Sequence, residues 1–238
     1  KYDKGRELVQ KLLAGTNIAL ITDAGTPGIS DPGEELVKMA YEAGIEVTSL
    51  PGACACVTAL TLSGLSTRRF VFEAFLPPDK KEHKLALERL KNETRTMIVY
   101  EAPHHLLKTL RELLETLGNR RLTLCRELTK KHETAWQTTI EDAITRYEQE
   151  DPKGECVLVI EGRSQKEIED EAKAAFEEIS IEEHMKRYED QGIARKEAMK
   201  LVAKDRGVTK RDIYQYLLGK ESYLSLIHIS EPTRHAQI

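Results

Sequence analysis

The sequence predicts an α/β fold, with parallel or mixed sheets and flanking helices, that ends in a helical hairpin. Short apolar runs of strand length alternate with stretches of helical period as far as about residue 163. The loops joining them are short and rich in glycine, as βα crossovers of a parallel sheet require. From Lys166 onward the strand signal stops and only polar helical sequence follows.

The elements follow in chain order. Asp3 offers a cap to a first helix, whose stripe of Leu8, Val9, Leu12 and Leu13 ends at Gly15. Residues 17–22 read as a buried strand. Leu36, Val37, Ala40 and Tyr41 mark a second helix over 34–43, closed by Gly44, with Asp31 before Pro32 as its N-cap. "IEVTSL" (45–50) is the next strand, and "PGACACVTAL" turns into a small-residue helix that ends near Gly64. "RRFVFEAFLPP" is a strand broken at Pro77-Pro78. The alternation then continues as helix 80–91, strand 96–101, helix 103–117, strand 122–128, helix 139–149 and strand 155–161.

These elements set the expected boundaries: 1–68 and 69–164 as two α/β domains, and 165–220 as a helical extension. Within the extension, "IARKEAMKLVAKDRGVTKRDIYQYLLG" reads as a helix, a turn at Arg206-Gly207 and a helix capped by Thr209. The stretch 221–238, ending "SYLSLIHISEPTRHAQI", fits nothing before it and is expected to be non-native. A chain that begins at Lys1 is also expected to lack its first segment.

Composition narrows the functional classes. With 40% hydrophobic and 32% charged residues, 238 positions are enough for a sizeable core. A net charge of −4 confines any polyanion site to a local patch. No apolar run approaches the roughly 20 residues of a membrane helix. The four cysteines form no C-x-x-C pair, which predicts a reducing, cytoplasmic setting and no metal site.

One stretch is unusual. "ITDAGTPGISDPG" (21–33) packs three glycines, two prolines and two aspartates behind an apolar run. Gly25, Gly28 and Gly33 let a ligand lie against bare backbone, and Pro27 and Pro32 stiffen the loop. No Gly-Lys-Ser/Thr follows, so it is not a P-loop. The second loop, Pro51-Gly52-Ala53-Cys54-Ala55, lies at the next strand end. Two such loops side by side make either a slot for a flat, mostly neutral ligand or a pair of tight structural turns.

"DAGTPGISDPG", "YEAPHH", "CRELTKKHE" and "PKGECVLVIEG", in this order, resemble the ribosomal small-subunit RNA (cytidine-2′-O)-methyltransferases of the tetrapyrrole-methylase superfamily. The resemblance runs from about Lys4 to Arg163 and into the helical end. It implies a two-domain tetrapyrrole-methylase-like fold and S-adenosylmethionine as cofactor. It also implies 16S rRNA in the small ribosomal subunit as substrate, and a homodimer. Carried over by motif, Gly25, Thr26, Pro27, Gly28 and Ile29 face the cofactor, joined by Cys54 and Ala55. The chain departs from the family pattern in the second loop, where Ala53 and Cys54 replace Pro and Ser. It departs again after "YEAPH", where His105 replaces Arg.

Moving a methyl to a ribose oxygen calls for a base to take the hydroxyl proton. Glu101, expected at a strand's carboxyl end and facing the cleft, Asp23, His104 and Asp31, which could equally be the N-cap already named, are the candidates. Residues 120–131 hold five Lys/Arg against one Glu, so Arg126, Lys130 and Lys131 are candidates for RNA phosphates. Two other readings stay open: a precorrin-type tetrapyrrole C-methyltransferase and a non-catalytic RNA-binding fragment. No membrane or DNA partner is expected.

Overall fold

The computed structural model describes residues 2–228, which divide into two compact units that meet in sequence between Arg163 and Ser164. In the first unit the elements are α1 (Tyr2–Leu13), α2 (Glu34–Glu42), α3 (Ala55–Leu62), β1 (Phe70–Phe75), α4 (Lys80–Lys91), β2 (Thr96–Glu101), α5 (Leu106–Leu117), β3 (Arg121–Arg126), β4 (Thr134–Thr139), α6 (Ile140–Tyr147) and β5 (Cys156–Ile160). A 3-10 turn, Pro103–His105, leads into α5. The backbone of α1 already includes Asp3 in its first turn.

The five strands form one mixed sheet in the order β1-β2-β5-β3-β4. The β1–β2 pair, bridged by α4, is parallel, and the other three pairs are antiparallel. The inner strands "TMIVYE" and "CVLVI" are apolar almost throughout because both of their faces are covered. On one face α4, α5 and α6 bury Met97, Val99, Leu122, Leu124, Leu158 and Ile160. The stripe Leu106, Leu110, Leu113 and Leu117 is the helical half of that core. On the other face α3 sets Cys56, Ala59 and Leu60 against Ile98, Cys125, Val157 and Val159. Asp79 caps α4 by accepting from the N–H groups of Lys81 and Glu82.

Residues 17–22 and 45–50 are not strands: among the described residues neither finds a ladder partner. A strand is made by its neighbour's hydrogen bonds as much as by its own sequence. Without a neighbour, Ile21 is 84% and Leu50 82% exposed. The sequence also missed β4, whose "TAWQTT" is an edge strand with little apolar content.

The second unit is all helical: α7 (Gln165–Glu177), α8 (Ile181–Glu189), α9 (Arg195–Arg206) and α10 (Lys210–His228). A capping box of Ser164 and Glu167 opens α7. The expected hairpin is α9 and α10. Gly207 closes α9 in the left-handed conformation at φ 65°. At the start of α10, Thr209 and Asp212 exchange side-chain and backbone hydrogen bonds. Met185, Ala198, Val202, Ala203 and Ile213 form the core of the unit. Residues 221–228 continue α10, whereas 229–238 of the proposed tail lie outside the described residues. Among the described residues no helix is long and apolar enough to cross a membrane.

Candidate functional site

Loops 23–33 and 51–55 are joined directly. The Thr26 hydroxyl donates to the Ala53 carbonyl at 3.0 Å. The approach is close enough to demand glycine. A Cβ on Gly52 would stand 2.9 Å from the Thr26 hydroxyl, and one on Gly25 would stand 3.3 Å from the Ala53 oxygen. Gly25 also has φ +83°, which a side chain would strain.

Between the two loops and the sheet lies a pocket of about 430 Å³. The first loop contributes Thr22, Asp23, Ala24, Gly25, Thr26, Ile29, Ser30 and Asp31 to its wall, and the second contributes Ala53, Cys54 and Ala55, followed by Thr58 of α3. Phe75, Tyr100, Leu128, Thr129 and Glu155 close it from the sheet side. Of the residues singled out in the sequence, Asp23, Gly25, Thr26, Ile29, Cys54 and Ala55 therefore meet in one wall. Pro27 and Gly28 share the first loop but do not line the pocket. Asp31 is not the N-cap of α2. That place is taken by Gly33 with no side-chain hydrogen bond, and Asp31 turns into the pocket.

The sheet side was not legible in the sequence, and a backbone irregularity explains part of it. The β1–β2 register slips between Phe72 and Ala74, where Ala74 adopts φ 55°. The extra residue puts Phe75 opposite Tyr100, on the α3 face, with the two rings 5.6 Å apart. Without the bulge, strand alternation would send Phe75 to the other face.

The same alternation corrects the expectation for Glu101. It does end a strand, but it lies next to Tyr100 and points to the opposite face. There it is buried, accepts from the Thr109 hydroxyl at 2.6 Å and from the Ala102 N–H at 2.8 Å, and lines a separate groove between α4 and α5. Its register partner Cys156 also pairs with Arg126, so Arg126 shares that face. His104 stands in the 3-10 turn, 4.2 Å from the His105 ring, and lines neither cavity.

Lys130 and Lys131 sit on the loop that follows β3. This loop is bent at Glu127 (φ 50°) and Thr129 (φ 67°), a conformation costly for a branched side chain. It is held by Glu133, whose carboxylate accepts from the Thr129 N–H at 2.6 Å. The bend carries Leu128 and Thr129 into the pocket wall. Lys130 pairs with Glu127 at 3.1 Å.

Electrostatics separates the possible acids and bases. Burial, reinforced by Cys56 and Cys54, pushes the Tyr100 hydroxyl well above its ordinary range. Tyr100 is therefore a neutral hydrogen-bond donor near pH 7. The carboxylates of the pocket are Asp23, Asp31 and Glu155.

The sequence profile of the tetrapyrrole (corrin/porphyrin) methylases matches residues 3–144. Ribosomal RNA small subunit methyltransferase I of Synechocystis is 44% identical over 223 residues, 93% of this chain and 78% of that protein. Its namesake in Halalkalibacterium halodurans is 47% identical over 214 residues, 90% and 73% of the two chains. The one in Bacillus subtilis is 44% identical over the same length. In fold, the chain is similar to the crystal structure of the methyltransferase CobJ, with a TM-score of 0.52 at 19% identity over 67% of this chain and 70% of that one. The chain belongs to the tetrapyrrole methylase family, among its ribosomal RNA small subunit methyltransferase I members.

Proposed function

We infer that this chain transfers a methyl group from S-adenosylmethionine to the 2′-oxygen of a cytidine ribose in small-subunit ribosomal RNA. The observation that carries the reading is the pocket between the two bonded glycine-rich loops, in a chain whose relatives bear the name of that methyltransferase. At about 430 Å³ it lies within the range of small-molecule sites, roughly 300–1,000 Å³.

The residues present fit the cofactor. Backbone and small side chains let a flat nucleoside lie close, and Phe75 and Tyr100 supply apolar surface. Asp23, Asp31 and Glu155 offer acceptors for amino and hydroxyl groups and a counter-charge for a cation. Gly25, Thr26, Ile29, Cys54 and Ala55 are proposed to hold it, with Pro27 and Gly28 stiffening the first loop. When bound, S-adenosylmethionine supplies an activated methyl on a positively charged sulfur.

The work of the chain is then to align the ribose oxygen, exclude water and receive a proton. Alignment of this kind contributes up to roughly 7–11 kcal/mol. For the proton we propose Asp23, which lines the pocket and has no side-chain hydrogen bond among the described residues; Glu101 is committed to Thr109 and Ala102. Lys130 and Lys131 are proposed as phosphate contacts, supported by a loop that also lends Leu128 and Thr129 to the pocket; Arg126, on the face of the sheet away from the pocket, is not retained with them. A homodimer in the cytoplasm completes the proposal, on the family resemblance.

Calorimetry with S-adenosylmethionine, followed by tritium transfer from labelled cofactor to small-subunit RNA, tests the reading. Saturable one-site binding and label in a ribose are expected. No binding would leave an RNA-binding protein, and transfer to a tetrapyrrole but not to RNA would reassign the substrate.

A further inference from the structure

The second loop carries a feature that methyl transfer does not use. The sulfur atoms of Cys54 and Cys56 lie 3.2 Å apart, at the edge of one apolar cluster that both residues join. Cys54 is half-buried and lines the pocket, whereas Cys56 is buried between α3 and the sheet with Ile98 and Val159. We propose that Cys54 and Cys56 are a reversible oxidation site, a dithiol that hydroperoxides close into an intrachain disulfide in the wall of the pocket.

The chemistry balances with one hydroperoxide. Its O–O bond breaks as an S–O bond forms on Cys54, the sulfur that solvent reaches, and an alcohol or water leaves. The Cys56 sulfur then attacks the sulfenyl sulfur. An S–S bond forms, the S–O bond breaks, and the hydroxide departs with the Cys56 proton as water. Two thiols and one hydroperoxide give one disulfide, one alcohol and one water.

Geometry favours this pair over the other thiols. A disulfide is about 2.0 Å long, so the two sulfurs need approach by only about 1.2 Å. Cys156 lies on the opposite face of the sheet, with Leu158 and Ile160. Cys125 shares a cluster with Cys56 but is fully buried. Burial pushes the Cys125 thiol up to about 11 and the Cys156 thiol up to about 12, so both stay protonated and unreactive. Burial and the Cys54 sulfur likewise raise Cys56 to about 11, so its contact with the Cys54 sulfur, not its acidity, makes it the second thiol. Closure of so short a ring strains the bond, and strained disulfides are the readily reduced ones. The bond also draws the Cys54 sulfur off the pocket wall.

Peptide mapping of the intact chain after hydrogen peroxide tests the site, and its readout does not depend on what the pocket binds. The tryptic fragment 39–68 holds both Cys54 and Cys56 and neither other cysteine. After oxidation and alkylation it is expected to be two hydrogens lighter and unalkylated, with alkylatable thiol there reduced about tenfold and the fragments of Cys125 and Cys156 unchanged. Dithiothreitol is expected to restore double alkylation. In Cys56→Ser, dimedone is expected to trap a sulfenic acid on Cys54. A fragment 39–68 that stays doubly alkylated, a stable Cys54 adduct beside a free Cys56 in the parent chain, or a link from Cys56 to Cys125 would overturn the proposal.

Discussion

The hydroxyl of Thr26 donates to the carbonyl oxygen of Ala53 at 3.0 Å, and this bond ties together loops 27 residues apart in the chain. It is the point where two conformationally special segments become one wall. Thr26→Val keeps the shape but removes the donor, leaving the Ala53 oxygen without that partner at a cost of about 1 kcal/mol. Affinity for S-adenosylmethionine is therefore expected to fall about five- to tenfold by calorimetry. Thr26→Ser retains the donor and is expected to stay near the parent. Equal affinities for Val and parent would mean the bond does not shape the site.

Asp23, proposed for proton transfer, and Glu101, expected for it from the sequence, make opposite predictions. Asp23→Asn removes a pocket carboxylate and is expected to lower turnover by about 10²–10⁴-fold, with cofactor affinity nearly unchanged. Glu101→Gln changes a group that faces α5 and bonds Thr109, so its turnover is expected to stay within about threefold of the parent while stability drops by about 1 kcal/mol. Single-turnover methylation of RNA separates the two. A collapse in the Glu101 variant with intact Asp23 activity would exchange their roles.

That contrast shows how far the sequence could be read. Strand 96–101 was legible to the residue, because "TMIVYE" is apolar and bounded by a loop and a proline. Which way Glu101 points was not, since parity along a strand depends on register with neighbours the sequence does not name. Phe75 and Tyr100 were missed as pocket walls for the same reason, compounded by the bulge at Glu73. The glycine loops were legible because backbone chemistry, not tertiary contact, dictates their composition. Residues 17–22 have the apolar composition of a strand, and a strand needs an edge to bind.

Lys131 and Lys130 differ in their surroundings. Lys130 is paired with Glu127, whereas among the described residues Lys131 has no ion-pair partner. Lys131→Gln is therefore expected to weaken RNA binding and to reduce the magnitude of the slope of log affinity against log salt by about 0.7, as for one single-strand phosphate contact. Lys130→Gln is expected to do less, since part of its charge is already neutralised. Filter binding across a salt series reads both, and an unchanged slope for Lys131→Gln would remove this loop from the RNA path.

Gly162 supports the sheet in a way its ordinary backbone angles conceal. A Cβ there would stand 2.3 Å from the Thr94 carbonyl carbon and oxygen and 2.5 Å from the Arg95 oxygen. These are backbone atoms, so no rotamer relieves the clash. The neighbouring turn is itself fastened: Arg95 holds the Glu93 carboxyl down to about 2, and the Arg163 N–H donates to the Glu93 carbonyl. Gly162→Ala is expected to cost about 2–3 kcal/mol, read as a lower urea midpoint with an unchanged slope. A midpoint equal to the parent's would show that the turn yields.

His184 is expected to make the second unit sensitive to mild acid. Its ring is buried, stacked 4.3 Å from Phe176, and bonded through Nδ1 to the Arg206 guanidinium and through Nε2 to Asp205. The Arg206 N–H donates to Nδ1, so Nδ1 must be unprotonated and Nε2–H faces the carboxylate. Burial first, and then the Arg206 charge, lower the His184 pKa below its ordinary 6.5; Asp205 opposes the shift without cancelling it. The unfolded chain thus binds this proton at a higher pH than the folded one. Stability from the neutral ring is fully present above about pH 6.5 and is lost as pH falls from there towards the lowered value. The helical melting transition of the full chain is expected to move to lower temperature between pH 7.5 and 5.5. His184→Gln, which offers an acceptor to Arg206 and a donor to Asp205 but no titrating ring, is expected to flatten that dependence. A parallel pH dependence in parent and variant would assign the proton to another group.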